Sequence, residues 1–230
     1  RSLYRRYGYD EVITPQILDV ELWQRSGHYD NYRNNMYFTE VDGRSFAIKP
    51  MNCPAHCLIF SEQTRSYRDL PMRLADFGRL HRYVRSGVVH GLTRVRSFAQ
   101  DDAHIFCTTD QIGDEVAAFV EMVDETYAVF GFDERRIYLS TKPAKAIGDA
   151  GTWENAESIL RDVLDGLGTS YTVKEGDGAF YGPKVDFFVP DALDREWQLG
   201  TIQLDFSLPE RFDLEYVADD GSRQRPVMLH

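Results

Sequence analysis

Met72-Arg73-Leu74-Ala75-Asp76-Phe77-Gly78-Arg79-Leu80-His81-Arg82-Tyr83 reads as one extended run, and Leu92-Thr93-Arg94-Val95-Arg96-Ser97-Phe98-Ala99-Gln100 as a second. Between them Tyr83–Gly91 holds Gly87 and Gly91, residues that suit a turning connection. The spacing predicts a long antiparallel hairpin with strands over Met72–Tyr83 and Leu92–Gln100. Its charge is unusual. From Arg65 to Arg96 there are eight arginines, no lysine, and only Asp69 and Asp76 as acids, so the window carries +6. The whole chain is −11, which leaves −17 elsewhere. Arginine without lysine points to fork-like recognition of phosphate or carboxylate. A solvated strand edge would carry the same charges with little energetic consequence.

Outward from the hairpin, two helices are clear. Ile112, Val116, Phe119, Val120, Val123, Tyr127 and Phe130 follow helical spacing over Gln111–Phe130. Thr108 and Gln111 can form a capping box there, and Gly131 can close the end. Ala156, Ile159, Leu160, Val163, Leu164 and Leu167 do the same over Trp153–Leu167, after Thr152 and before Gly168. A third helix is expected from Pro54 to Tyr67, with the proline in its first turn. Further strands are predicted at Ser45–Lys49, Arg136–Ser140, Lys184–Val189 and Trp197–Phe206. A hairpin of Leu214–Val217 and Arg223–Leu229 turns at Asp219-Asp220-Gly221. Strands outnumber helices and often follow one another directly. The expected fold class is therefore α+β, a mostly antiparallel sheet flanked by helices, in one domain.

Composition excludes several classes. The chain has 230 residues, 43% hydrophobic and 27% charged, enough for a sizeable core and unlike a disordered segment. Net charge of −11 disfavours a simple basic nucleic-acid module. No apolar run approaches the ~18 residues of a membrane span. Cys53, Cys57 and Cys107 are too few for a disulfide scaffold and suggest a reducing, cytoplasmic setting. The chain starts at Arg1 and reads as a piece of a longer polypeptide.

Four strings carry chemistry. Met51-Asn52-Cys53-Pro54-Ala55-His56 puts a thiol at a strand-to-helix turn. Arg94-Val95-Arg96-Ser97-Phe98-Ala99-Gln100-Asp101-Asp102-Ala103-His104 crowds arginines, an aromatic, acids and a histidine together. Gly178-Ala179-Phe180-Tyr181-Gly182-Pro183-Lys184 and Gln198-Leu199-Gly200-Thr201-Ile202-Gln203-Leu204-Asp205-Phe206 follow. Read alone, Cys53 is equally a buried free thiol, Asp102 a helix-capping or ion-paired acid, Phe98 a core aromatic and Lys184 a strand-edge charge. Cys53, His56 and Cys57 form a local alternative metal set, cramped by the proline.

Together these strings closely resemble the catalytic domain of the threonyl-tRNA synthetase family, class II aminoacyl-tRNA synthetases, over essentially the whole chain. The resemblance implies an antiparallel sheet of six or more strands. A dimerisation segment would lie around Arg1–Pro15, and a strand–loop–strand motif over Met72–Asp102. A third motif would start near Val227 and run past His230, with its ATP-binding arginine beyond this chain. No editing or anticodon-binding domain would be present, and the full-length protein would be a homodimer.

By the same resemblance, Cys53, His104 and His230 would hold Zn²⁺. Thiolate and imidazoles suit that ion, and three ligands leave a position for substrate. Asp102, Gln100, Tyr181, Ala179, Gln203 and Met51 would contact L-threonine. An apolar pocket separates threonine from isosteric valine poorly, whereas a hydroxyl-demanding site does so well. Arg82 and Arg94 would hold phosphates, Phe98 would stack on adenine, Gln198 and Thr201 would touch the nucleotide, and Lys184 would lie near the substrates. ATP would enter with Mg²⁺, and the acceptor end of tRNA(Thr) would take the product. No role attaches to Arg96.

One position departs from the family. Its second motif reads Arg-x-Glu, the glutamate meeting the adenine amine, but here it is Arg82-Tyr83-Val84. Two other readings follow. One is a zinc-dependent threonine-binding paralogue without full ATP chemistry. The other is a zinc hydrolase with Asp102 as base, which lacks an evident nucleophile or oxyanion device.

Overall fold

The computed structural model describes residues 1–91 and 93–230. Its main sheet has eight strands, in the order Asp10–Glu11, Met72–Asp76, Asp102–Cys107, Val227–Leu229, Glu196–Asp205, Lys184–Pro190, Arg136–Ser140 and Thr172–Lys174. The two outermost pairings are parallel and the five between them antiparallel. The expected α+β class and antiparallel-dominated sheet are what forms.

Period-two alternation gives the sheet two unlike faces. Ile105, Cys107, Leu139, Val185, Phe187, Ile202, Leu204 and Leu229 pack into one core with Val116, Val120, Leu160 and Leu164. Those four belong to helices Ile112–Val129 and Ala150–Gly166. On the opposite face Leu74, Phe106 and Met228 meet Cys53, Cys57 and Phe60 of helix Cys53–Ser61, with Leu208, Phe212 and Leu214. The polar side chains of the strands emerge on this second face, beyond that smaller core.

Several boundaries differ from expectation for identifiable reasons. The predicted strand Met72–Tyr83 is two strands, Met72–Asp76 in the main sheet and Arg79–His81 in a ribbon with Ser97–Ala99. The break sits at Phe77-Gly78, because the Asp76 carboxylate accepts the Gly78 amide at 2.7 Å instead of leaving it to a ladder. The partner strand predicted over 92–100 begins on Leu92, outside the described residues, and its regular part is Ser97–Ala99. Helix Ala150–Gly166 starts three residues early, capped by Asp149 rather than Thr152, whose amide Asp149 accepts at 2.9 Å. The Thr108–Gln111 capping box is present, and Gly131 has the positive φ of a helix end, 72°. The third helix stops at Ser61, and Arg65–Ser66 instead pairs with Tyr216–Val217. The last predicted strand splits at Arg225-Pro226. Arg223–Gln224 stays in the hairpin while Val227–Leu229 crosses into the main sheet. Proline lacks the amide a continuous ladder needs.

A buried ion pair joins the small sheet of Ile17–Asp19, Tyr37–Val41 and Arg44–Ile48 to the large one. Lys49 and Asp76 are both essentially inaccessible, 3.2 Å apart. Lys49 Nζ also donates to Thr14 Oγ1 at 2.8 Å, and Thr14 Oγ1 donates to Asp76 at 2.7 Å. Burial alone would raise the Asp76 carboxyl; bonds from Thr14, Gly78 and Lys49 outweigh it and hold it below the usual range. Removing one partner strands the other charge in the interior. Lys49→Met is expected to cost about 3–5 kcal/mol in urea unfolding, with much of the loss recovered when Asp76 is replaced by a leucine in the same chain.

Candidate active site

Three segments distant in sequence converge on the polar face. Cys53 opens helix Cys53–Ser61 after the Pro50-Met51-Asn52 turn and is buried. His104 lies in strand Asp102–Cys107, whose alternation sends Asp102, His104 and Phe106 to this face. His230 follows strand Val227–Leu229, and its backbone exchanges two 2.9 Å hydrogen bonds with Gln203. One donor atom from each of Cys53, His104 and His230 lies within 4.8 Å of the others. Bond lengths of 2.0–2.3 Å would draw ligands of one tetrahedral zinc to roughly 3.3–3.8 Å, a side-chain adjustment.

The surroundings fit such an ion. His230 Nε2 is 2.9 Å from Asp205 Oδ2, and Asp205 Oδ1 accepts the amides of Ser207 and Leu208. His104 Nδ1 is 2.8 Å from Nδ1 of His56. One nitrogen of each ligand histidine is thus occupied by a neighbour, and the other remains for the ion. Histidine ligands are commonly oriented in this way. Burial pushes the Cys53 thiol well above its ordinary value and His104 well below its own, so these two donors are neutral without a cation. A bound divalent ion would expel the thiol proton and use the His104 imidazole as it stands. The local alternative does not assemble. Cys57 turns to Met228 Sδ at 3.8 Å, and His56 sits behind His104.

These donors line one wall of a cavity of about 910 Å³. Met51, Gln100, Asp102, Tyr181 and Gln203 also line it, as do Arg82, Gln198 and Thr201. Tyr181 stacks on the His230 ring at 4.7 Å and donates to Gln203 Oε1. Gly182 lets this turn close: a Cβ there would meet the Leu204 carbonyl at 1.8 Å. Burial raises the Asp102 carboxyl, against a 2.7 Å bond from Asn52 Nδ2 and the charge of Arg82. A cation beside it would pull it back toward the ionised form. Arg82 donates through Nε to the Pro50 carbonyl at 3.1 Å, and its guanidinium stands 5.1 Å from the Phe98 ring centre.

Four expected residues are not on the wall. Phe98 packs against the Arg82 guanidinium instead. Lys184 pairs with Asp186 at 2.8 Å, and Asp186 in turn accepts Gln198 at 2.7 Å, so Lys184 connects to the cavity at one remove. Ala179 forms the bridge of the Tyr181 turn with Gly182. Arg94 is exposed, in a bridge with His90. Arg96, without an expected role, donates to the Val84 carbonyl at 2.9 Å and stacks over Tyr83, fastening the two arms of the hairpin.

Sequence reasoning missed Asn52, Asp205 and His28. Asp205 lies two residues beyond Gln203 on one strand and therefore on the same face, a signal that was available. His28 Nε2 is 3.7 Å from Cys53 Sγ and 3.1 Å from Met51 Sδ. Nothing in its local sequence marks it. Among the described residues, no helix is long and apolar enough to cross a membrane.

Comparison with known proteins gives the family. A family model for the class II tRNA synthetase core domain (G, H, P, S and T) matches residues 37–230. The chain is 56% identical over its full length to the threonine–tRNA ligase of Pelobacter propionicus and 54% to that of Bdellovibrio bacteriovorus. It spans about a third of those proteins, 36% and 35%. Among solved structures, a domain of threonyl-tRNA synthetase from Cryptosporidium parvum, described as RNA-binding, superposes with TM-score 0.95 and 48% identity, covering 98% of this chain and 57% of that one. A putative threonyl-tRNA synthetase from Aeropyrum pernix gives 0.86 at 37% identity, covering 99% and 53%. Giardia lamblia prolyl-tRNA synthetase, at 16% identity and TM-score 0.72, shares the fold. The chain belongs to the class II tRNA synthetase core family, and within it to the threonyl-tRNA synthetases.

Proposed function

We propose that this domain is the threonine-activating core of a threonine–tRNA ligase, forming threonyl-adenylate from L-threonine and ATP·Mg²⁺ and passing it to the acceptor end of tRNA(Thr). The observation that carries the reading is the convergence of Cys53, His104 and His230 on the wall of a cavity that Arg82 and Asp102 also line. Zinc on those three donors would take the amino and hydroxyl groups of threonine. Asp102, steadied by Asn52, would accept the substrate hydroxyl's proton in a hydrogen bond. Tyr181 and Gln203, bonded to each other, would close the amino-acid end.

The threonine carboxylate would attack the α-phosphorus, a carboxylate–phosphorus bond forming as the bond to the departing pyrophosphate breaks. Arg82 would neutralise charge on that phosphoryl group, and its bond to the Pro50 carbonyl fixes its reach. Positioning and charge neutralisation would supply most of the rate, with no side chain forming a covalent intermediate. Homodimerisation through Arg1–Pro15 and a cytoplasmic setting belong to the same proposal. The +6 window Arg65–Arg96 supports contact with phosphates locally, against a chain of −11.

In the full-length protein, ATP–pyrophosphate exchange tests the reading. Threonine is expected to support exchange, and valine to do so with kcat/KM lower by about 10⁴-fold, the discrimination of a site built around a hydroxyl. Threonine binding without exchange would select the non-catalytic paralogue instead. Val84, which cannot accept a hydrogen bond from adenine, favours that second reading. Val84→Glu is therefore expected to tighten ATP by roughly 5–150-fold, as about 1–3 kcal/mol of lost bonding is restored, with threonine affinity unchanged. Equal ATP affinity in both forms would remove the case for a weakened nucleotide site.

A further inference from the structure

His56 is a further buried imidazole beside the cluster and is no part of the ligand set. It lies one helical turn after Cys53 and is completely inaccessible. Its ring crosses that of His104 nearly at right angles, with centres 4.7 Å apart, and the two Nδ1 atoms are 2.8 Å apart. Its Nε2 is buried with no hydrogen-bond partner among the described residues.

Two imidazole nitrogens at that distance share one proton: one ring donates and the other accepts. His104 has its Nδ1 engaged in this way, so only its Nε2 can meet a cation, and that atom must present a lone pair. The neutral His104 must then carry its proton on Nδ1 and donate it to His56. His56 accepts at Nδ1 and keeps its own proton on Nε2. In the reverse arrangement His56 donates, and the His104 proton moves to Nε2, where it blocks the cation.

We propose that His56 is a positioning residue that fixes His104 in its metal-binding tautomer by accepting the Nδ1 proton. A carboxylate does the same for His230 through Asp205, where only one direction of donation exists. At His104 the acceptor is a second imidazole able to donate instead, so the lock depends on which nitrogen of His56 is protonated. The proposal rests on the zinc reading of the site and adds to it a residue outside the ligand set.

The test is zinc affinity of the full-length protein, measured by competition with a chromophoric chelator. His56→Leu, which has no acceptor, is expected to bind zinc about 10–100-fold more weakly. His56→Asn, whose Oδ1 stands the same number of bonds from the backbone as the ring Nδ1, is expected to stay within about threefold of the wild type, the spread allowed for context. Unchanged affinity in His56→Leu, or equal loss in both variants, would overturn the proposal. Wild-type zinc affinity no better than that of Cys53→Ser would instead overturn the zinc reading itself. A readout independent of folding in the variants is the long-range proton–nitrogen correlation of the histidine rings in the zinc-loaded wild type. His56 is expected to be protonated at Nε2 and bare at Nδ1; the opposite pattern contradicts the proposal.

Discussion

Desolvation is the constraint on which the site depends. Cys53 and His104 are almost wholly removed from water, and His230 is nearly so on its side chain. Each has its charged form disfavoured by burial or its outer nitrogen committed to a neighbour. A thiol and two imidazoles so arranged are poor partners for one another and good ones for a soft divalent cation. The same dryness makes a nearby carboxylate costly, which is why Asp102 is held by Asn52 and faced by Arg82.

The fold delivers these donors by sheet pairing rather than by local sequence. Val227–Leu229 inserts between Asp102–Cys107 and Glu196–Asp205, and that insertion alone carries His230 beside His104. The turn with Cys53 is fixed from behind. Lys49 ties the preceding strand to Asp76, and the Lys49 carbonyl accepts the His81 amide at 3.1 Å. Arg82 follows directly, bonded to Pro50. One buried ion pair therefore sets both the metal-side turn and the phosphate-side arginine.

Much of this was legible in the sequence. Strand Arg136–Ser140 and helix Ile112–Val129 stood out because their apolar residues follow one clean period. Strand Asp102–Cys107 did not, since Asp102 and His104 occupy positions where alternation expects apolar residues. Function masked the structural signal. The split of Met72–Tyr83 was hidden because Phe77-Gly78 looks extended until Asp76 is seen to capture the Gly78 amide. At the site, the quoted strings located most of the cavity wall, through family resemblance rather than spacing. His28 and Asn52 escaped because their roles exist only in three dimensions. Asn52 sits at a helix N-cap yet makes no side-chain capping bond, and its Nδ2 donates to Asp102. A cap residue that abandons its helix marks a site, and only coordinates reveal it.

The central claim is that a single ion joins Cys53, His104 and His230 at the amino-acid end of the cavity. Anomalous diffraction at the zinc absorption edge, from crystals of the protein grown with threonine, tests it most directly. The account predicts one strong peak among the Cys53 sulfur and the two imidazoles, with the substrate's amine and hydroxyl pointing to it. Absence of a peak there, with threonine bound in the cavity, would contradict it.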